Sequence, residues 1–259
     1  MGILDIFSLK DRVAIVTGAS RGLGASFSIA LAEAGANLVI LARDKTRLKE
    51  TEERIKDTGR DVLSIRCDIT CEEDVRNMVN AAVERFGRVD ILVNNAGTAR
   101  VNVPPEKTSL NEWNGVINTN ITGQFLCARE VGKVMIKQKY GKIINIASIS
   151  GLIINRYFHG GSYDVSKLAV VALTRALAVE WARYNINVNA VAPGYYGTEP
   201  NLKWFNSNRD IYRKVIDLIP LGRLGDIREL SALIVMLASD VSNYMTGSVI
   251  VIDGGYTLW

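Results

Sequence analysis

Long apolar runs are missing from this chain: across its 259 residues every hydrophobic stretch is broken by a charge, Asn, Gly or Pro before the roughly 18 to 20 residues that a membrane helix needs. No membrane span is expected. Cysteine is scarce, with Cys67, Cys71 and Cys127 an odd set that contains no Cys-x-x-Cys pair. That excludes a disulfide framework and a zinc site and fits a reducing compartment. No charge of one sign dominates either. The sum of 31 basic and 27 acidic residues is +4, spread along the chain, which argues for solubility and against a nucleic-acid partner. The opening segment, Met1 to Lys10, has no cationic head and carries Asp5 inside its only apolar stretch, while Ile6 breaks the myristoylation pattern. Neither a secretory signal nor a lipid anchor is expected, and cytoplasm is the default location. What remains, 48% hydrophobic and 22% charged residues with 22 Gly and 5 Pro, is the composition of an ordinary globular protein. The length allows one large α/β domain or two small ones.

Strand-length apolar runs alternate with segments of helical period from end to end. Val13–Val16, Leu38–Leu41, Val62–Ile65, Ile91–Val93, Ile143–Ile146, Ile186–Val188 and Val249–Ile252 read as strands, mostly continuous in apolarity. Continuity means burial on both faces, as in a parallel sheet covered by helices. Helices are expected over Ala25–Ala34, Lys45–Lys56, Glu72–Phe86, Trp113–Met135, Val165–Ala182 and Ile227–Leu237. The first three are followed by Gly35, Gly59 and Gly87 as left-handed caps. With no linker or repeat, the economical reading is one doubly wound α/β domain over 1–259, with a right-handed crossover at each helix. The least regular stretch, 194–218, reads as a substrate lid.

After the first strand comes Thr17-Gly18-Ala-Ser20-Arg21-Gly22-Leu23-Gly24, then a helix. Glycines at such a turn let the backbone approach a pyrophosphate whose charge sits on the helix N-terminus. The spacing is Gly-x-x-x-Gly-x-Gly, so it matches the dinucleotide fingerprint in context rather than in letter. At the end of the second strand, where an acidic residue would hold the ribose hydroxyls of NAD, stands Ala42, followed by Arg43 and Asp44. Arg43 with Arg21 suits a 2′-phosphate and favours NADP(H). Pairing of Arg43 with Asp44, leaving Asp44 for the ribose of NAD(H), is the alternative.

Lys167 lies one helical turn beyond Tyr163, so both side chains leave one helix face. Phenol is a poor acid at neutral pH, with an ordinary pKa of about 10. A nearby ammonium is expected to lower it toward working pH, as general acid–base catalysis requires. Ser148 offers a hydroxyl for a developing oxyanion. These motifs stand in a fixed order, namely Thr17–Gly24, Asp68, Asn94-Asn-Ala-Gly97, Asn120, Ser148, Tyr163-Asp-Val-Ser-Lys167 and Pro193-Gly194. In that order the chain resembles a short-chain dehydrogenase/reductase from about Leu9 onward. The resemblance implies a seven-stranded parallel sheet, a nicotinamide cofactor, hydride transfer between an alcohol and a ketone, and a homotetramer. It implies catalytic roles for Asn120, Ser148, Tyr163 and Lys167, with Asn120 interrupting its helix and Lys167 also on the nicotinamide ribose. By the same resemblance Asp68 and Ile69 edge the adenine, Asn94, Ala96 and Gly97 wall the adenosine ribose, and Pro193, Gly194 and Thr198 grip the carboxamide. Asn94 also reads as a structural clamp.

Substrate residues are sought in the loops after the strands, which supply Arg100, Arg156, His159, Tyr195, Tyr196 and Trp204. This polar, cationic and aromatic set suits a hydroxylated and acidic small molecule. The stretch from Ser148 to Tyr163 is slightly longer than the family's usual spacing. Leu4–Lys10, Pro193–Thr198 and Ile219–Gly225 resemble the gluconate 5-dehydrogenase branch, which implies a sugar acid or polyol as substrate. The 3-oxoacyl-[acyl-carrier-protein] reductases are the alternative, and a nucleotide-binding regulator without turnover is the third.

Overall fold

The computed structural model describes residues 2–259. Seven parallel strands, β1 (Val13–Thr17), β2 (Asn37–Ala42), β3 (Val62–Arg66), β4 (Ile91–Asn94), β5 (Gly141–Ile146), β6 (Ile186–Pro193) and β7 (Val249–Ile252), pair in the order β3-β2-β1-β4-β5-β6-β7. The continuous apolarity has the expected cause. β1, β4 and β5 are buried along their whole length. Helices α1 (Gly22–Glu33), α2 (Lys45–Lys56) and α9 (Ile227–Ala238) cover one face, where Phe27, Leu31, Leu48, Ile55 and Ile234 form the core. The other face is covered by α3 (Glu72–Phe86), α5 (Gln124–Gln138) and α6 (Gly161–Trp181), with Val75, Met78, Val131 and Ala178 packed inward. In α3, Val75, Met78, Val79 and Ala82 repeat at helical spacing. Gly87 ends it at φ 76°, and Gly35 and Gly59 also take positive φ. No helix among the described residues is long and apolar enough to cross a membrane.

Three expectations are revised. The helix expected over Trp113–Met135 is two helices, α4 (Leu110–Ile117) and α5, joined by a wider π-helical turn over Asn118–Gly123. The sixth strand runs five residues past Val188 to Pro193, because the polar side chain that hid this, Asn189, is buried and bonds to Met245 O and Ser248 N. The stretch 194–218 is not irregular: it holds α7 (Glu199–Ser207) and α8 (Arg209–Asp217). Thr198 caps α7 through Asn201 N, Pro200 sits in its first turn, and Phe205 and Val215 are buried against Ile149, Ile219 and Tyr256.

The amino ends of the central strands are tied by a buried carboxylate. Asp90 accepts from Val13 N at 2.9 Å and from Arg88 Nε and Nη2 at 2.8 and 2.6 Å, with its side chain fully buried. Truncating it strands the buried N–H of Val13 and frees the half-exposed Arg88 guanidinium to water. Asp90→Ala is expected to lower stability by about 2 kcal/mol, read from the urea midpoint, while the folded fraction keeps its affinity for NADPH.

Candidate active site

Strand order reverses between β1 and β4, and a cleft opens there at the carboxyl ends, as the topology dictates. Its mouth is held by a stitch. Thr17 Oγ1 accepts from Asn95 N at 2.9 Å and Ala96 N at 2.8 Å, and Asn95 Nδ2 donates to Thr17 O at 2.9 Å and Gly18 O at 3.3 Å. Gly18 has φ +66° and lies so close to Ala96 that a Cβ would stand 2.9 Å from its Cα. Gly24 leaves no room either, since a Cβ there would run into Gly18 O and Asn95 Nδ2. Gly22, by contrast, has φ +57° and open space where a side chain would be. The loop therefore presents bare backbone and the N-terminus of α1 to the cleft, a cradle suited to a pyrophosphate.

The cleft has a volume of about 740 Å³. Gly18, Ser20, Arg21, Gly22, Leu23 and Gly24 line it at one end, Arg43, Asp68 and Ile69 beside them, and Ala96 and Gly97 along its wall. Ser148, Tyr163, Lys167, Pro193, Gly194 and Thr198 line the other end. Asp44 turns its carboxylate into the start of α2, where Oδ1 accepts from Thr46 N at 3.0 Å and Arg47 N at 3.4 Å. Asp68 does the same for Thr70, whose N–H and hydroxyl hold its pKa below the usual carboxylate range. Arg47, in the first turn of α2, also lines the cleft. Sequence reasoning missed it, because Arg43 lies before the helix and no helical spacing links the two.

At the end lined by Ser148 and Tyr163, Lys167 is buried and donates to Ile146 O at 2.7 Å. Burial pulls its pKa down to about 8. Its Nζ lies 5.6 Å from the centre of the Tyr163 ring. The expected lowering of the Tyr163 pKa is reversed: burial raises it, opposed by the Ser148 hydroxyl and by the Arg100 guanidinium. Ser148 Oγ accepts from Ser150 N at 3.1 Å, which leaves its own proton to donate into the cleft. Asn120, fully buried at the π turn, does not line the cleft. Its amide grips both Thr98 N (2.7 Å) and Thr98 O (3.2 Å) and donates to Ser166 Oγ at 3.0 Å, which donates in turn to Tyr163 O at 2.7 Å.

These features agree with what comparison finds. The family model described as enoyl-(acyl carrier protein) reductase matches residues 18–257. The chain is 42% identical to 2-dehydro-3-deoxy-D-gluconate 5-dehydrogenase of Dickeya dadantii, covering 98% of each chain. It is 38% identical to galactitol 2-dehydrogenase (L-tagatose-forming) of Cereibacter sphaeroides, covering 100% of each. It superposes at a TM-score of 0.89, with 32% identity over 98% of this chain and 100% of the other, on a putative 2-deoxy-D-gluconate 3-dehydrogenase from Agrobacterium tumefaciens with bound NADP. The chain belongs to the short-chain dehydrogenase/reductase family. It is therefore an oxidoreductase acting on CH–OH groups, of a family that binds NAD(P).

In this short-chain dehydrogenase/reductase several site assignments need correction. Asn94 is not a wall of the cleft. It is fully buried beneath it, donating to Gln124 O at 3.2 Å and Asn145 Oδ1 at 3.0 Å, because strand alternation turns it inward and leaves Asn95 to face the glycine loop. Tyr196 lines the cleft, but it is largely buried and its hydroxyl donates to Ile252 O at 3.1 Å. Arg100, Arg156, His159, Tyr195 and Trp204 lie outside the cleft lining. His159 is fixed at the surface through its N–H on Asn102. Arg156 stacks on Tyr157. Tyr195 bonds to Asn155 at 3.1 Å and packs with Phe158, Phe205 and Tyr256, and Trp204 joins through Phe158 and Phe205. This aromatic cluster packs with the buried side chains of α7 and α8, Phe205 and Val215.

Proposed function

We propose that the chain is an NADP-dependent dehydrogenase that interconverts a secondary alcohol and a ketone on a polyol or sugar acid, with Tyr163 carrying the proton. The observation that carries this reading is the meeting of Ser148, Tyr163 and Lys167 in one cleft with the glycine loop. When bound, the nicotinamide accepts or supplies the hydride. The chain's own residues handle the oxygen. Tyr163 gives or takes the proton, the free hydroxyl proton of Ser148 stabilises the developing charge, and Lys167 supports the phenolate. Asn120 is a positioning residue, since it fixes Thr98 and, through Ser166, the turn of α6 that carries Tyr163.

NADP is favoured over NAD by charge. Arg21, Arg43 and Arg47 line the adenosine end of the cleft, and the two carboxylates there are engaged, Asp44 as the cap of α2 and Asp68 with Thr70. A 2′-phosphate would meet guanidinium donors rather than a carboxylate. The related Agrobacterium structure carries NADP. For the substrate, the names of the relatives join a sugar acid and a polyol, and both are chains of hydroxylated carbon. Assembly is supported by exposed apolar side chains, among them Phe125 on α5, Leu168 and Val179 on α6, and Val251, Leu258 and Trp259 toward the carboxyl end of the chain. Apolar side chains of this kind are covered in symmetric oligomers, and a homotetramer is the state we assign.

Three measurements test the reading. Galactitol, xylitol and D-gluconate are offered with NADP⁺ and followed by NADPH absorbance, beside acetoacetyl thioester with NADPH. Turnover of at least one of the first three is expected, with Tyr163→Phe about 1,000-fold slower yet still binding NADPH. Reduction of the thioester alone, or full activity in Tyr163→Phe, would overturn it. Arg43→Ala is expected to weaken NADPH about tenfold and leave NADH unchanged; an unaltered ratio of the two removes the NADP assignment. Light scattering should give four times the mass of the chain, and a monomer at working concentration would rule the assembly out.

A further inference from the structure

Outside the cleft lining, against the back of the Tyr163 ring, lies a buried charge pair. The Arg100 guanidinium sits between two aromatic rings, with Cζ 5.3 Å from the centre of Phe158 and 5.3 Å from that of Tyr163. Its Nη2 donates to Asp164 Oδ1 at 2.8 Å and to Ser150 Oγ at 2.7 Å. The Arg100 side chain is 14% exposed and that of Asp164 only 7%. Asp164 follows Tyr163 in the chain, and its Oδ2 is pressed against Gly160, where even a Cβ would collide.

As a stabilising device this pair is poor. Arg100 Nη1 and Asp164 Oδ2 are both buried with no hydrogen-bond partner, and a buried pair with an orphan donor and an orphan acceptor recovers its desolvation cost badly. Its placement has another effect. The charged groups facing Tyr163 are Lys167 and Asp164 on its own helix and Arg100 from the loop after β4; Ser148, from the loop after β5, brings an uncharged hydroxyl. The Tyr195 and Tyr256 phenols, in the same field, are held un-ionised by burial. Of the two cations, Lys167 is buried and its pKa is pulled down to about 8, whereas a guanidinium keeps its charge at every working pH.

We propose that Arg100 is a positioning residue for the proton on Tyr163, holding a fixed positive charge over the ring, and that Asp164 sets how much of that charge the phenol feels. The inference rests on the reading of Tyr163 as proton carrier. Its direction follows from Coulomb's law. Arg100 favours the phenolate, Asp164 disfavours it, and the burial that raises the Tyr163 pKa is offset in part by Arg100. The Asp164 carboxyl is itself raised by burial and held down by Arg100.

The test is a tyrosinate absorbance titration, taken as the difference between each protein and the same protein carrying Tyr163→Phe, so that it needs no substrate. Asp164→Asn keeps the shape of the site and leaves Arg100 unopposed; the Tyr163 midpoint is expected to fall by about 1 pH unit. Arg100→Gln is expected to raise it and Arg100→Lys to restore it in part. With a substrate found in the panel above, the acidic limb of kcat/KM for alcohol oxidation should move the same way. A midpoint in Asp164→Asn that stays put or rises overturns the inference. Should Arg100→Gln fail to fold by circular dichroism, Asp164→Asn decides alone. Full turnover in Tyr163→Phe would reject the proton-carrier reading whatever the titration gives, whereas an unmoved titration with an inactive Tyr163→Phe rejects this inference only.

Discussion

The cleft depends on the bonds that Thr17 and Asn95 make across the ends of β1 and β4. At a point where strand order reverses, the two connections leave in opposite directions and the backbone groups they expose have no ladder partner. Thr17 Oγ1 answers two of those N–H groups and Asn95 Nδ2 two of the carbonyls. The same bonds bring Gly18 and Ala96 into a contact that admits no side chain. Cradle, floor and opening are thus fixed together, and a cofactor meets a surface already in place.

Around that fixed floor the buried charges are sorted by strand polarity. At the amino ends, Asp90 is fully partnered by Val13 and Arg88, and Lys142 is held between Asn187 Oδ1 and Asn243 Oδ1 at 2.8 and 2.7 Å. At the carboxyl ends partnership is incomplete. Lys167 has one carbonyl, the Ser148 proton is left to the Tyr163 side, and the Arg100 and Asp164 pair leaves an atom of each unanswered. Groups that only hold the sheet are thus saturated, whereas those beside the cleft keep donors and acceptors to spare.

Much of this was legible because the signals are local. A glycine loop between a strand and a helix, Tyr163 and Lys167 one turn apart, and Ser148 past a strand are each read within a few residues. What stayed hidden depends on contacts distant in sequence. Arg100 and Asp164 are 64 positions apart, and no periodicity joins them, so Arg100 reads as a loop cation open to substrate. Asn94 and Asn95 are indistinguishable by type, and only the pleat decides which one faces the glycine loop. The helices α7 and α8 were masked by Gly197, Pro200 and paired aromatics, although Thr198 and Pro200 together are a helix-start signal. The sign of the Tyr163 shift was missed for a related reason: spacing reveals a neighbouring ammonium but says nothing of how deeply both groups are buried.

Tyr195 and Tyr196 are adjacent in the chain yet bound to different bodies, one to Asn155 and the aromatic cluster, the other to Ile252 on the sheet edge. The peptide between them is a seam. On one side lies the nucleotide half, on the other the aromatic cluster with α7 and α8. Substitutions that reshape α7, α8 and their aromatic seat can thus leave the dinucleotide half undisturbed, and a short exchange of residues beginning at that seam is the natural unit of such change.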